Sequence, residues 1–168
     1  MFNKFLGAIA IMGCSVFISK SMTDKLKKRK ASLNSFHKIL VMLESEISFS
    51  ANSIDHALKN ISDSVNLPDF FNYILPKTEH LGIRKVWSES IEHCKDKLCL
   101  SNEDVKILNT LSAQLGITDK DNQIKNIHYV LTMLEHLEQD AENRLLTMSK
   151  LYRAFGISAG LTTVILLI

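Results

Sequence analysis

Proline and glycine are scarce in this chain, at 2 and 6 of 168 residues. Turns are therefore few and the regular elements long. A sandwich or barrel of short strands, which needs a turn signal about every 8–12 residues, is excluded. Cysteine is sparse and odd in number (Cys14, Cys94, Cys99). No disulfide framework is expected, and a reducing compartment suits the polar part of the chain. An excess of one charge is also missing. The 20 Lys and Arg and 18 Asp and Glu leave a net charge of +2, too weak a field to argue for nucleic acid as a partner. Disorder is excluded by the opposite features, 46% hydrophobic and 23% charged residues, which allow a packed core. Leu, Ile, Lys, Glu and Ser dominate, which points to an all-α fold with one modest core.

The signatures of chemistry are absent too. There is no Walker-type glycine loop, no Gly-x-Ser-x-Gly and no GxGxxG. His93-Cys94 with Cys99 invites a metal reading, but Cys94 and Cys99 lie about 140° apart on a helix and lack zinc-ligand spacing. No Glu-x-x-His pair supports a di-metal carboxylate bundle. Asp119, Asp121 and Asn122 resemble a calcium loop, but Ile124 stands where that loop needs Gly. Helix capping explains them better. The sequence thus indicates no catalytic residue, no metal and no cofactor, and points to binding or scaffolding rather than an enzyme.

The two ends carry the clearest signal. Nothing is charged from Phe5 to Ser19, or from Ala154 to Ile168. Each run makes about 22 Å of helix, against a hydrocarbon core of about 30 Å. Counting residues 1–19 and 151–168 reaches that thickness if Lys4 and Arg153 snorkel to the interfaces. The expectation is an N-terminal transmembrane segment at 1–19, a helical domain at 20–150, and a C-terminal transmembrane segment at 151–168. The alternative is a pair of buried or amphipathic helices. Lys20, Lys25, Lys27, Lys28, Arg29 and Lys30 follow the first segment; Arg144, Lys150 and Arg153 precede the last. That bias puts the middle in the cytoplasm and both termini outside. A lipoprotein-like box at Ile11-Met12-Gly13-Cys14 is followed by more apolar residues, so a packed or lipid-facing Cys14 is the simpler reading. The basic run Lys25–Lys30 sets topology and can also attract anionic headgroups.

Between the ends, periodicity predicts about six helices. Leu26, Leu33, Phe36, Leu40, Leu43 and Ile47 form a heptad-like stripe, so the first helix runs on to about Ser50. Ser53 caps a short second helix. Pro68 opens a third, which Pro76 kinks or ends. Gly82 makes a break before a fourth helix holding Val86, Trp87, Ile91 and Leu98. Ser101 with Asp104 is a variant capping box for a fifth, closed by Gly116. Thr118 or Asp119 starts the last helix, whose stripe is Ile124, Ile127, Leu131, Leu134, Ala141, Leu145, Met148, Tyr152 and Phe155. Glu138 falls at the skipped position, either as a buried contact or, with Leu137 taking over the stripe, as a solvated one.

These segments resemble the stage III sporulation protein AB family of endospore-forming bacteria. The run Leu115-Gly116-Ile117-Thr118-Asp119-Lys120-Asp121, with Gln123 and Lys125, is similar to the family's LG-x-x-D-x-x-x-Q-x-K. Leu43-Glu44-Ser45-Glu46-Ile47 is similar to its L-E-x-E-I, and Trp87 to the lone Trp opening its fourth helix. The chain departs at Asn52-Ser53-Ile54, where the family usually has a Thr-Pro-Leu turn. The family's bundle is in turn similar to the F-type platform protein of type II secretion machines.

The resemblance implies a component of the channel complex between mother cell and forespore, in the mother-cell membrane around the forespore. Its implied partners are the stage III sporulation protein AA-like ATPase and the other membrane components of that complex. Glu44, Glu46, Asp119, Gln123 and Lys125 are the residues it marks, either for partner contact or as caps and pairs within the bundle. A motor-free scaffold that self-associates as a homo-oligomer through the long stripes is the other expectation.

Overall fold

The computed structural model describes residues 2–49, 53–113, 115–116 and 119–167, with side chains apart from those at 2–6, 8–12, 79, 153, 159–161 and 163–167. Six helices and no strand occur among the described residues. They are α1 (Phe2–Phe49), α2 (Ile54–Ser64), α3 (Pro68–Leu81), α4 (Ile83–Leu98), α5 (Asn102–Ser112) and α6 (Lys120–Leu167). The chain divides into two compact units. The terminal unit comprises Met1–Lys28 with Asp140–Ile168, and the bundle unit Arg29–Gln139.

In the bundle unit the stripes do what their spacing predicts. Leu33, Phe36, Leu40 and Leu43 of α1 are buried, with Ile39 beside them. Ala57, Leu58 and Ile61 bury one face of α2, and Phe70, Phe71 and Ile74 one face of α3. Val86, Trp87, Ile91 and Leu98 of α4, Val105, Leu108 and Leu111 of α5, and Ile127, Val130, Leu131, Leu134 and Leu137 of α6 complete the core. At its centre the Phe70 ring meets Phe36 at 5.2 Å, Phe71 at 5.5 Å and Trp87 at 5.3 Å, all edge-on. Trp87 is an anchor, since its Nε1–H donates to the Leu108 carbonyl at 3.0 Å.

Local chemistry sets the helix ends. Pro68 opens α3, where its missing N–H costs nothing. Gly82 separates α3 from α4 at φ 76°, a conformation that favours glycine. Ser101 and Asp104 make the expected capping box: the Asp104 amide donates to Ser101 Oγ at 3.1 Å, and the Ser101 amide to Asp104 Oδ2 at 2.8 Å. Two details, at Ser53 and Gly116, differ from expectation, and two, at Pro76 and Cys99, add to it. Ser53 precedes α2 but makes no side-chain capping bond. Pro76 does not end α3, which continues to Leu81; Asn72, whose carbonyl loses its amide partner, lies on the exposed side. α5 stops at Ser112, so Gly116 (φ 75°) shapes the following turn instead of closing the helix. α4 ends on Cys99 at φ 56°, with the Leu100 amide reaching back to the Lys95 carbonyl at 3.0 Å, a glycine-type closure made by a cysteine.

The basic run also needs correction. Arg29, counted with the topology-setting cations, is buried: its side chain is 9% exposed and Asp104, at 0%, receives it. Nε donates to Oδ2 and Nη2 to Oδ1, each at 2.8 Å. The fork geometry fits a carboxylate already held by the capping box. Ser32, one turn on, donates to the Leu98 carbonyl at 3.0 Å.

The terminal unit is built differently. Among its described residues only Ala141 is a buried apolar side chain, while Val16, Phe17, Ile18, Met22, Leu146, Leu151, Phe155 and Ile157 are exposed. Its two helices meet through Ser19, whose hydroxyl lies 2.9 Å from the carbonyls of both Ser15 and Tyr152. A Cβ on Gly156 would collide with Ser19 Oγ and press on the Ser15 carbonyl at 3.2 Å. Both expected spans, 1–19 and 151–168, fall in this unit. Among the described residues, however, no helix is long and apolar enough to cross a membrane. The uncharged runs are shorter than the usual span of about 20 residues, and Ser15, Ser19 and Ser158 dilute them. Lys4 and Arg153 lie outside the described side chains, and Ser50, Asn52, Ile117 and Thr118 outside the described residues.

Candidate functional site

The five residues singled out from the sequence lie on the last turns of α1 and the first turns of α6, within the bundle unit. Two contacts join these stretches. Glu44 Oε1 lies 3.0 Å from His128 Nε2, and Lys120 Nζ donates to the Ser48 carbonyl. The latter satisfies one of the carbonyls left over at the end of α1 and brings a cation to the negative end of its dipole.

Each candidate then has a definite place. Glu44 is half-buried and held by His128. Asp119 precedes α6 and starts it: its carbonyl accepts from the Gln123 amide at 3.0 Å, and its Oδ1 from Asn122 Nδ2 at 2.5 Å. Gln123 is half-buried and Lys125 exposed, three residues ahead of His128 on α6. Glu46 stands about 200° around α1 from Glu44, so the structure does not gather it onto the same face. Glu44 and Asp119 thus make contacts within the bundle unit, while Lys125 is exposed.

Sequence reasoning did not single out three exposed apolar side chains on these two helices. Phe49 closes α1 with its ring 92% exposed, and Val41 and Tyr129 are exposed as well. Phe49 lies two residues past Ile47, off the buried stripe, and that offset was the available signal. His128 carried none, because its partner lies 84 positions away in sequence.

The remaining polar groups do not converge on a reaction centre. Cys94 is buried and its Sγ donates to the Asp69 carbonyl at 3.0 Å. Burial pushes its thiol pKa up, Asp69 adds to that and Lys97 opposes it, so it is a poor nucleophile. His93 stacks on Tyr73 with centroids 4.1 Å apart. Among the described residues no three His, Cys, Asp or Glu side chains are grouped to hold a metal. Glu138 is partly buried opposite His37, with Nδ1 and Oε1 3.5 Å apart. Leu137 takes its place in the core. Burial raises the Glu138 pKa first; His37 lowers it, Glu135 raises it, and Lys30 and Lys38 lower it.

Comparison with known proteins agrees with this helical plan. The family model for stage III sporulation protein AB matches residues 4–168. The chain is 27% identical over 169 residues to stage III sporulation protein AB of Bacillus subtilis (strain 168), covering 98% of each. It is also similar to a solved structure of stage III sporulation protein AB, with a TM-score of 0.64 and 25% identity over 70% of this chain and 96% of that one.

Proposed function

This chain belongs to the stage III sporulation protein AB family, and on that premise we propose that it is a non-enzymatic platform of the mother cell–forespore channel complex, anchored in the mother-cell membrane and docking a secretion-type ATPase. The terminal unit is the anchor. Its apolar side chains face outward and its helices join through a serine and a glycine, the arrangement that lipid favours and water does not. The bundle unit is the cytoplasmic body.

The observation that carries docking is the exposed Phe49 at the end of α1, next in sequence to Ser48, whose carbonyl Lys120 holds, and about one turn and a half past the Glu44–His128 contact. A rigid helix end displaying an aromatic anchor among charged groups is the anatomy of an interface centre. Because two packed helices hold it, force on that end reaches the whole bundle.

The test uses the full chain in lipid nanodiscs and the stage III sporulation protein AA-like ATPase, with and without nucleotide. Saturable binding weakened about tenfold or more by Phe49→Ser or Lys125→Glu is expected. Binding untouched by both substitutions moves the docking face elsewhere. No binding by the unaltered chain ends the motor-platform reading in favour of a self-associating scaffold.

A further inference from the structure

Within the terminal unit, α1 and α6 do not pack flush. A cleft of about 410 Å³ opens along their seam, lined by Val16, Ser19, Lys20, Thr23, Asp24 and Lys27 of α1 and by Ser149, Gly156 and Ile157 of α6. The lining is graded along the helix axis. Val16, Gly156 and Ile157 make the end toward the chain termini apolar. Lys20, Thr23, Lys27 and Ser149 make the other end polar and cationic. One carboxylate, Asp24, sits there and is met by Lys27 at 3.7 Å. Lys20 has no ion pair among the described residues.

From this gradient we propose that the cleft binds one anionic phospholipid, its phosphate between Lys20 and Lys27 and an acyl chain over Val16, Gly156 and Ile157. The inference rests on the membrane anchoring proposed above and goes beyond it, to a defined site with headgroup preference. Three features favour a lipid over a soluble anion. From Val16 to Lys27 the cleft runs about 16 Å along the helix, far longer than a phosphate needs. Phe17 and Phe155, next in sequence to Val16 and Gly156 of its apolar half, are 73% and 69% exposed and offer apolar surface for a second chain. Its cations stand at the level where a helix leaves the hydrocarbon, which is where headgroup phosphates are found. Gly156 is essential to the shape, since any side chain there enters the seam.

The site also sorts the basic run. Arg29 is committed to Asp104, Lys25 and Lys28 are exposed outside the cleft, and Lys20 and Lys27 line it.

The test is native mass spectrometry of the full chain released from nanodiscs of phosphatidylcholine with phosphatidylglycerol, alongside co-sedimentation with vesicles of each composition. One retained phosphatidylglycerol per chain is expected. Lys20→Gln with Lys27→Gln should weaken its retention about thirtyfold, and Gly156→Leu should abolish it. Lys25→Gln with Lys28→Gln removes the same charge outside the cleft and should leave retention intact. Equal loss from both lysine pairs would overturn the site in favour of diffuse surface attraction, and displacement of the lipid by inorganic phosphate would overturn it in favour of a soluble anion. Co-sedimentation without headgroup preference would overturn the lipid site alone. Failure to co-sediment with either vesicle would overturn the anchoring itself.

Discussion

The bundle unit and the terminal unit use the same residue types in opposite places. In the bundle unit most Leu, Ile and Phe side chains are inside, Phe49 being the chief exception, and even its buried ion pair is fully satisfied. In the terminal unit most of the described apolar side chains are exposed, while a serine hydroxyl and a glycine make the helix contact. The bundle is stabilised by removing apolar area from water. The terminal unit does not bury its described apolar side chains in this way, and a nonpolar surrounding, whether lipid or protein, would make its pattern favourable. One chain therefore carries two opposite arrangements of the same residue types.

The sharpest way to break the comparison is at Arg29. Arg29→Ala leaves Asp104 charged, buried and half-served, and should destabilise the bundle unit by about 3–5 kcal/mol. The loss is read as a fall in the denaturation midpoint followed by Trp87 fluorescence. Replacing the pair with apolar residues (Arg29→Met with Asp104→Leu) should recover much of it, less the value of the cap, about 1 kcal/mol. A neutral Arg29→Ala would show that the lock is not part of the bundle's stability.

The terminal unit should respond in the reverse sense. Phe17→Ser with Phe155→Ser removes two exposed rings, so the bundle's midpoint should not move. Membrane partition should fall by about 1.5–3 kcal/mol per ring, the cost of losing a buried aromatic, measured by vesicle co-sedimentation. If instead the midpoint fell and partition held, the outward-facing pattern would belong to a protein interface and the contrast would collapse.

How legible each unit was follows from the range of its interactions. Helix starts at Pro68 and Ser101, the break at Gly82 and the stripe of α1 are local, governed by residues within one turn, and the sequence shows them directly. Arg29 was misassigned because its environment is set by Asp104, 75 positions away, and five lysines around it gave the appearance of a solvated run. Cys99 in a left-handed conformation had no local signal either. There the packing of Leu98 and Leu100 into the core overrides the roughly 1–2 kcal/mol preference against such a residue. At the candidate surface, Asp119 was legible as a helix start. Glu44 was visible only as a motif residue, since its partner His128 is joined to it by tertiary packing.

The smallest effect concerns one of the places where the bundle unit tolerates imperfect polar packing. His37 Nδ1 and Glu138 Oε1 face each other at 3.5 Å, both shut from water and neither hydrogen-bonded. Burial raises the Glu138 pKa above its ordinary value, against the opposing charge of His37. The native state therefore holds a proton that the unfolded chain has already released, over the window between the ordinary carboxylate value and the raised one. Across that window stability falls as pH rises, and it is highest below it. Glu138→Gln cannot ionise, so its stability should be flat across the same range and should exceed the parent's above it, by less than about 0.5 kcal/mol. Denaturant midpoints from mildly acidic to neutral pH measure both slopes. Parallel slopes would mean that the carboxylate is as well solvated in the fold as in the unfolded chain, and His37–Glu138 would then be no buried polar mismatch to set against the well-made Arg29–Asp104 lock.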